Sequence, residues 1–221
     1  MLTLETDRLI LRAFEVRDVE GFAAYRSDPD VARYQGWDIP FTELQAVEFI
    51  RAMRRVQAGA PGKWLQLAIQ VKSSGELAGD CAFKVEAEDP HQAEMGLTIA
   101  RKFQRQGYGF EATVRLLDYL FFELKMHRVR AGCDELNLVS CHLLEKIGLR
   151  REAHLIENLW FKGRWSSEYW FGILDREWAA RRGVSLARGE DVTASAEDPQ
   201  SDPGDDPDSL LIARSRWQNR S

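Results

Sequence analysis

Two kinds of hydrophobic pattern follow one another along the chain up to about residue 180. Runs rich in β-branched and aromatic residues, bounded by turn residues, predict strands. These runs are 9–13, 64–71, 77–86, 92–100, 128–133, 150–161 and 165–174. Apolar spacing and capping residues predict helices at 18–27, 42–58 and 138–147, and a central helix that begins within 104–111.

Individual residues support these helices. The central helix carries one apolar stripe at spacings of three and four. The stripe consists of Phe110, Val114, Leu117, Phe121 and Leu124. Asp18 is a candidate N-cap, Thr42 and Gln45 have the form of a capping box, and Gly148 is placed to end a helix.

The order of elements predicts a mixed α+β fold, in which a mostly antiparallel sheet is flanked by helices. We assign residues 1–182 to one domain. Beyond Arg182 the composition changes abruptly, because residues 183–208 are rich in Gly, Ser, Asp, Glu and Pro. Such a segment has too little apolar surface to offset its ordering entropy, so residues 183–221 are predicted to be an acidic, disordered tail. Its apolar end, 209–217, either forms a short helix or is disordered as well.

Composition narrows the class of protein. The chain is 44% hydrophobic and 29% charged, and no apolar run approaches the length of a bilayer span. The N-terminus lacks a signal-peptide pattern, and the net charge of −5 argues against broad nucleic-acid binding. Cys81, Cys133 and Cys141 form no Cys-x-x-Cys pair, so we expect buried thiols. These features predict a cytoplasmic protein without a membrane span.

The segment from Gln104 to Glu111 carries the clearest candidate chemistry. Gly107 and Gly109 lie at the start of the central helix, where unobstructed amides and the helix dipole favour a phosphate or pyrophosphate. A tight turn without a ligand would give the same glycine spacing. The segment matches neither the P-loop nor the dinucleotide-binding pattern.

Further motifs resemble the GNAT acetyltransferase superfamily. In chain order they are an opening segment at 4–12, the loop Gln104-x-x-Gly107-x-Gly109, a second signature made of Asn137-x-x-Ser140 and the sequence LEKIGL at 144–149, and an aromatic-rich end. The first and last resemble its RimJ/RimL-type branch. The resemblance covers about residues 1–180 and implies an acyl-CoA N-acyltransferase with a splayed sheet.

The resemblance also implies a cofactor site for acetyl-CoA. The pantetheine arm is expected in a gap between the strands before and after the central helix. The implied cofactor-binding residues are Leu97, Thr98, Ile99, Gln104, Arg105, Gln106, Gly107, Tyr108, Gly109, Phe110, Asn137 and Ser140. The alternative for Asn137 and Ser140 is simple helix capping.

Acyl transfer to an amine requires a proton acceptor for the amine and a proton for the departing thiolate. Glu94, on the strand that enters the gap, is the first candidate base, and a solvated or ion-paired strand residue is its alternative. His91 is a weaker candidate. Many GNAT enzymes carry a tyrosine acid where this chain has Leu144, so Ser140 or water is the expected acid. An oxyanion donor is expected near Thr98.

Aromatic residues are the candidates for the acceptor site. Tyr34 and Trp37 belong to a loop between helices, and Trp160 and Trp165 belong to the final hairpin. The histidines share no ligand spacing, so no metal is predicted. The resemblance suggests a small-molecule amine or a protein N-terminus as acceptor, direct transfer in a ternary complex, and a homodimer. The alternative function is a catalytically silent acyl-CoA sensor or interaction module.

Overall fold

A computed structural model describes residues 2–185, and the strands of that range form one eight-stranded sheet. The strands are β1 (Thr3–Glu5), β2 (Leu9–Arg12), β3 (Trp64–Val71), β4 (Leu77–Val85), β5 (Gln92–Ile99), β6 (Arg128–Asp134), β7 (Arg150–Phe161) and β8 (Arg164–Leu174). Their order across the sheet is β1-β2-β3-β4-β5-β6-β8-β7. Every neighbouring pair is antiparallel except β5 and β6, which are parallel.

Helices cover both faces of this sheet. They are α1 (Val19–Ser27), α2 (Pro29–Ala32), α3 (Glu43–Met53), α4 (Tyr108–Asp118), α5 (Leu138–Ile147) and α6 (Asp175–Arg182). On one face, the Tyr25 hydroxyl of α1 donates to Asp80 of β4, which lies opposite Thr98 of β5. Gly109 of α4 instead approaches Leu97 and Ile99, which point to the other face because side chains alternate along a strand. The predicted mixed α+β architecture is confirmed.

The sheet opens in its middle. Strands β5 and β6 are paired only where Gln92–Glu94 lies beside Arg128–Arg130. Beyond that point β5 stays with β4 as far as Ile99, and β6 stays with β8 as far as Asp134. A gap therefore separates residues 95–99 from residues 131–134. Main-chain groups along both sides of the gap lack the partners that a continuous sheet would supply.

The buried face of α4 differs from the predicted stripe. The buried residues of α4 and the turn that follows it are Ala112, Thr113, Leu116, Leu117, Tyr119, Leu120 and Phe121, whereas Phe110, Val114 and Leu124 are only partly buried. Ala112 and Thr113 let the helix approach the sheet closely, and the Thr113 hydroxyl is satisfied by the Gly109 carbonyl at 2.8 Å. A π-helical turn over Tyr119–Glu123 then shifts the spacing by one residue.

Most predicted boundaries are confirmed, with three differences in the first half of the chain. The Thr42–Gln45 capping box forms, but α3 ends at Met53 and turns replace the helix predicted up to residue 58. Asp18 precedes α1 without capping it, because its carboxylate accepts from Arg12 at 2.7 Å and from the Glu15 amide at 2.7 Å. The short elements β1 and α2 have no predicted counterpart.

Helix α6 is the largest element that the sequence pattern does not predict. Trp178 anchors it, since its side chain is 2% exposed, its ring stacks on Phe121, and its Nε1 donates to Asp118 at 3.0 Å. The predicted disorder of the tail concerns residues that, from 186 onward, lie outside the described part of the chain. Within residues 2–185, no helix combines the length and the apolar character needed to cross a bilayer.

Candidate active site

The loop before α4 has the backbone geometry of an anion cradle. Gly107 is the N-cap of α4 and has φ of 82°, in the left-handed region that favours glycine. Arg105 has φ of 60°, so the chain reverses sharply before the helix begins. The first amides of α4 have no partners within the helix, and Gly107 offers no side-chain cap. The amides at this turn are therefore available to an anion.

The cradle is braced by Arg8, a residue far away in the sequence, which contacts both the loop and Glu111 of α4. The Arg8 guanidinium donates from Nη1 to the Gln106 carbonyl at 3.0 Å and from Nε to Glu111 at 2.6 Å. It also lies 4.6 Å from the ring centroid of Tyr108. Burial acts to raise the pKa of Glu111, but hydrogen bonds from Thr6 and Arg8 outweigh it and lower that pKa. Glu111 therefore remains ionised and holds the loop.

Gln104 and Gly109 fix the loop against β5. The Gln104 side-chain amide donates to the Ile99 carbonyl at 2.9 Å, so Gln104 bridges the end of the strand and the loop. At Gly109, an added Cβ would lie 3.1 Å from the Leu97 side chain and 3.5 Å from that of Ile99. A larger residue at Gly109 would push α4 away from the gap.

Successive main-chain carbonyls of β5 point alternately toward the gap and toward β4. A Cβ added at Gly79 of β4 would collide with the Thr98 carbonyl oxygen, so that carbonyl faces β4. The Leu97 and Ile99 carbonyls instead accept from the Gln35 and Gln104 side chains, at 3.5 and 2.9 Å. Of the three residues expected to bind pantetheine, Leu97 and Ile99 face the gap. The pantetheine contact expected of the Thr98 main chain does not fit this geometry, and the oxyanion donor expected near Thr98 stays a prediction.

The second signature forms the start of α5. Asn137 is its N-cap, and the Asn137 side-chain oxygen accepts from the Ser140 amide at 3.2 Å. This is the capping geometry that the sequence left as an alternative. It leaves the Asn137 amide group and the half-buried Ser140 hydroxyl for other contacts. Leu144 is 7% exposed and packs in the core, so no hydroxyl stands at that position.

Glu94 lies at the point where β5 and β6 separate. Its side chain is on the face opposite α4, where it is 8% exposed. One carboxylate oxygen, Oε2, lies 3.5 Å from Lys84 Nζ and 3.6 Å from Arg130 Nη2, and no hydrogen bond reaches it. Burial raises the pKa of Glu94, against the opposing charges of Lys84 and Arg130. The weaker candidate, His91, lies exposed just before β5, beside Asp89.

The loop after α2 spans the gap on this face. The Tyr34 hydroxyl donates to the Leu136 carbonyl at 3.2 Å, while Gln35 reaches Leu97 across the opening. Trp37 packs inward instead, because Arg26 lies 4.0 Å from its ring centroid and the Arg26 carbonyl accepts from its Nε1 at 2.9 Å. Tyr34 is therefore placed at the gap, and Trp37 supports the loop from beneath.

A cleft of about 750 Å³ lies next to this loop. Its lining residues are Pro29, Ala32, Arg33, Asp38, Ile39, Leu136, Phe161, Lys162 and Arg164. Trp160 does not line it. Phe161 does, and Trp160 points to the opposite side of the β7–β8 hairpin, where it packs against Trp165 with ring centroids 5.6 Å apart. The expectation that Trp160 lines the acceptor site does not fit this placement.

Sequence patterns did not single out several residues that shape the site. Arg8 and Glu111 form the loop brace, Gln35 crosses the gap, and Arg33 and Lys162 line the cleft. Only Arg8 had a sequence signal, because it falls within the opening motif at residues 4–12. The remaining contacts join segments distant in sequence, so spacing carries no information about them.

Comparison with known proteins identifies the family. A family model described as the acetyltransferase (GNAT) domain matches residues 8–150. The chain belongs to the GNAT acetyltransferase family. N-acetyltransferase p20 of Bacillus licheniformis is 33% identical over 180 residues, which covers 81% of this chain and 99% of that relative. The chain is thus an enzyme of a family that transfers acetyl groups.

Solved structures of GNAT proteins share the fold. The GNAT-family acetyltransferase of Bacillus anthracis superposes with a TM-score of 0.70 at 32% identity, covering 80% of this chain and 100% of that one. The spermidine N-acetyltransferase of Vibrio cholerae, solved with CoA and spermine, gives a TM-score of 0.66 at 21% identity over 78% of this chain and 99% of that one. At that identity the likeness establishes the fold alone.

The GNAT cofactor, acetyl-CoA, fits the residues that are present. The left-handed turn at Gly107, the free amides of α4 and the close approach at Gly109 leave room that a side chain would fill. The gap beside Leu97 and Ile99 offers main-chain partners to an extended chain of amides.

Proposed function

We propose that this protein acetylates a primary amine by direct attack of the amine on acetyl-CoA within a ternary complex. The amine belongs to a small molecule or to a protein N-terminus. The observation that carries the proposal is the gap between β5 and β6, which opens beside the anion cradle at Gly107. A cofactor held at the cradle would thus present its thioester to the gap and to the opposite face of the sheet.

Binding of the donor is assigned to three parts of the chain. The amides from Arg105 to Phe110 hold the pyrophosphate, with Gln104, Gln106 and Tyr108 shaping the loop. The Leu97 and Ile99 main chain bonds the pantetheine. The Asn137 amide group and Ser140 lie at the start of α5, beside the far side of the gap. Acetyl-CoA supplies an activated thioester carbonyl.

The chemistry requires one base and one acid. The amine nitrogen forms a bond to the thioester carbon, the carbon–sulfur bond breaks, and the thiolate takes a proton. Glu94 is the proposed base, because it lies on the acceptor face and burial raises its pKa toward that of a useful proton acceptor. Ser140 or water supplies the proton for sulfur. Much of the rate comes from holding the amine against the thioester.

Titration calorimetry tests donor binding, with acetyl-CoA and desulfo-CoA as ligands. We expect both to bind, and no heat at millimolar ligand would refute the assignment. Release of free thiol in the presence of amines tests transfer itself.

The second candidate function is a silent acyl-CoA sensor, which is favoured by the buried Leu144 at the position of the usual tyrosine acid. Cofactor binding without thiol release, across small amines and N-terminal peptides, would support that candidate instead. Thiol release with any acceptor would exclude it.

A further inference from the structure

The cleft beside the gap is lined by an excess of positive charge. Three cationic side chains, those of Arg33, Lys162 and Arg164, line it together with the single carboxylate of Asp38. Its volume of about 750 Å³ is that of a small-molecule site. Such a concentration of one sign of charge in a concave surface attracts ligands of the opposite sign.

The side chains of Arg33 and Lys162 can each form further contacts with a ligand. Arg33 is exposed, lies 5.3 Å from the ring centroid of Tyr34, and has no ion pair with a carboxylate among residues 2–185. Lys162 donates to the Ala32 carbonyl at 2.7 Å, and burial lowers its pKa against the opposing charge of Asp38. An anion in the cleft would add partners to both groups.

Arg164 contacts a carboxylate that already has other partners. Asp134 is 3% exposed and accepts from the Ser166 hydroxyl, from Arg164 at 3.2 Å and from the Leu136 amide at 2.8 Å. The Asp134 charge is therefore compensated within the protein, and it does not offer a site to an external cation. A planar guanidinium with further N–H groups can still bind a carboxylate or phosphate.

The cleft adjoins residues that border the gap. Arg33 precedes Tyr34 and Gln35, whose side chains reach Leu136 on the cleft wall and Leu97 on the gap strand. A molecule whose amine enters the gap therefore places its other end next to the three cations. The acceptor face is therefore cationic at this end.

We propose that the cleft binds an anionic group of the acceptor, so that the substrate is a small amine carrying a carboxylate or a phosphate. This inference rests on the proposed function and names the acceptor class of the same site. It sets this protein apart from an enzyme whose acceptor is a polycation such as spermidine.

Matched pairs of acceptors test the inference. The pairs are β-alanine with β-alaninamide, and phosphoethanolamine with ethanolamine, and spermidine serves as the polycation. We expect the anionic member of at least one pair to have kcat/KM about tenfold higher or more, as one charged hydrogen bond provides. Comparison of the two pairs shows whether the anion is a carboxylate or a phosphate.

Variants of Arg33 connect the preference to the cleft. Arg33→Gln should remove most of the preference by raising KM for the anionic acceptor, with KM for acetyl-CoA unchanged, and Arg33→Lys should retain most of it. Arg176→Gln, an exposed arginine on α6, is the matched control and should behave as wild type. A preference for spermidine, equal rates within both pairs, or a preference that survives Arg33→Gln would each overturn the inference.

A binding measurement decides the case in which no acceptor of the panel is acetylated. Malonate and inorganic phosphate are titrated into the protein loaded with CoA. Binding to wild type that is lost in Arg33→Glu supports the inference, and absence of binding overturns it. Failure of the proposed function is scored separately, by the absence of thiol release with any amine, whether or not acetyl-CoA binds.

Discussion

The Arg8 guanidinium donates from Nε to the Glu111 carboxylate across 2.6 Å and thereby ties the β1–β2 turn to the first turn of α4. The same guanidinium reaches the Gln106 carbonyl, so one side chain fixes both the helix start and the loop before it. Such a brace favours one arrangement of the loop amides, which lowers the ordering cost of binding a pyrophosphate.

Removal of the Arg8 charge should weaken donor binding with little effect on the fold. We expect Arg8→Met to raise the Kd for acetyl-CoA about two- to fivefold, corresponding to an interaction of roughly 0.5–1 kcal/mol at an exposed position. Titration calorimetry measures this Kd. Arg115→Met, which removes the 3.1 Å pair with Glu123 on the same helix, is the control and should leave Kd unchanged. An unchanged Kd in Arg8→Met would show that the loop holds its shape without the brace.

Glu111 makes part of the stability dependent on pH. Its pKa in the folded protein lies below the ordinary glutamate value of 4.5, since hydrogen bonds from Thr6 and Arg8 outweigh burial. A carboxylate with a lowered pKa stabilises the fold at pH above its ordinary value, and that contribution is lost as pH falls through the lowered value. Thermal melts from about pH 3 to pH 7 should therefore show a smaller acid dependence for Glu111→Gln. Parallel curves for the two proteins would contradict this.

The glycines of the loop can be tested against a glycine of the same conformation elsewhere. Gly107→Val strains a backbone at φ of 82° and places Cβ 3.2 Å from Arg8, and Gly109→Val pushes α4 from Leu97. Both should abolish acetyl-CoA binding. Gly163→Val, at the hairpin turn, imposes the same strain at φ of 82° with no neighbouring atom within 4 Å, and should bind normally. Wild-type affinity in a folded Gly107→Val would argue against the assignment of the loop.

The sequence predicted local features well because local chemistry determines them. The glycine-rich turn, the capping box at Thr42 and the bounds of β3 and α5 all follow from residues within a few positions of one another. The C-terminal end of α3 and the buried face of α4 could not be derived from such local patterns. There, turns after Met53 and a π-helical turn at Tyr119–Glu123 override the simple period.

The site was predictable only in part, for a related reason. The loop amides and the Asn137 cap are local, and the family resemblance located them. The direction of the Thr98 carbonyl depends on pairing with β4, and the side on which Trp160 lies depends on strand register. A shift of one residue in register exchanges the two faces of a strand, so spacing alone cannot place such groups.

Helix α6 is expected to be essential for stability, and the chain beyond it dispensable. Trp178→Ala removes a fully packed indole and should lower the free energy of unfolding by about 3–5 kcal/mol, the usual cost of a large aromatic truncation in a core. Removal of residues 186–221 should leave stability and acetyl-CoA affinity unchanged, because Gly183 and Val184 already bond the last carbonyls of α6. Urea denaturation compares the two changes. A large loss of stability on truncation would mean that the removed residues dock on the domain or on a partner subunit.

Glu94 provides the most informative test of mechanism, since it has a matched partner in the same charge cluster. Glu94→Gln should keep acetyl-CoA affinity and lower kcat/KM by roughly 10²–10⁴, the usual range for general base catalysis. Glu86→Gln is the control, because Glu86 contacts the same two cations, Arg130 at 3.0 Å and Lys84 at 3.4 Å. It should change kcat/KM little.

The pH dependence of kcat/KM shows whether Glu94 acts as a base or only positions the charges of Lys84 and Arg130. Because burial raises the pKa of Glu94, the rising limb of kcat/KM in wild type should lie above the ordinary glutamate value of 4.5. The deficit of Glu94→Gln should shrink at high pH, where the amine loses its proton without help. Equal losses in Glu94→Gln and Glu86→Gln at every pH would assign the effect to the Lys84 and Arg130 cluster. Near-wild-type activity of Glu94→Gln across the range would remove Glu94 from the mechanism and leave Asp38, in the cleft, as the next carboxylate to test.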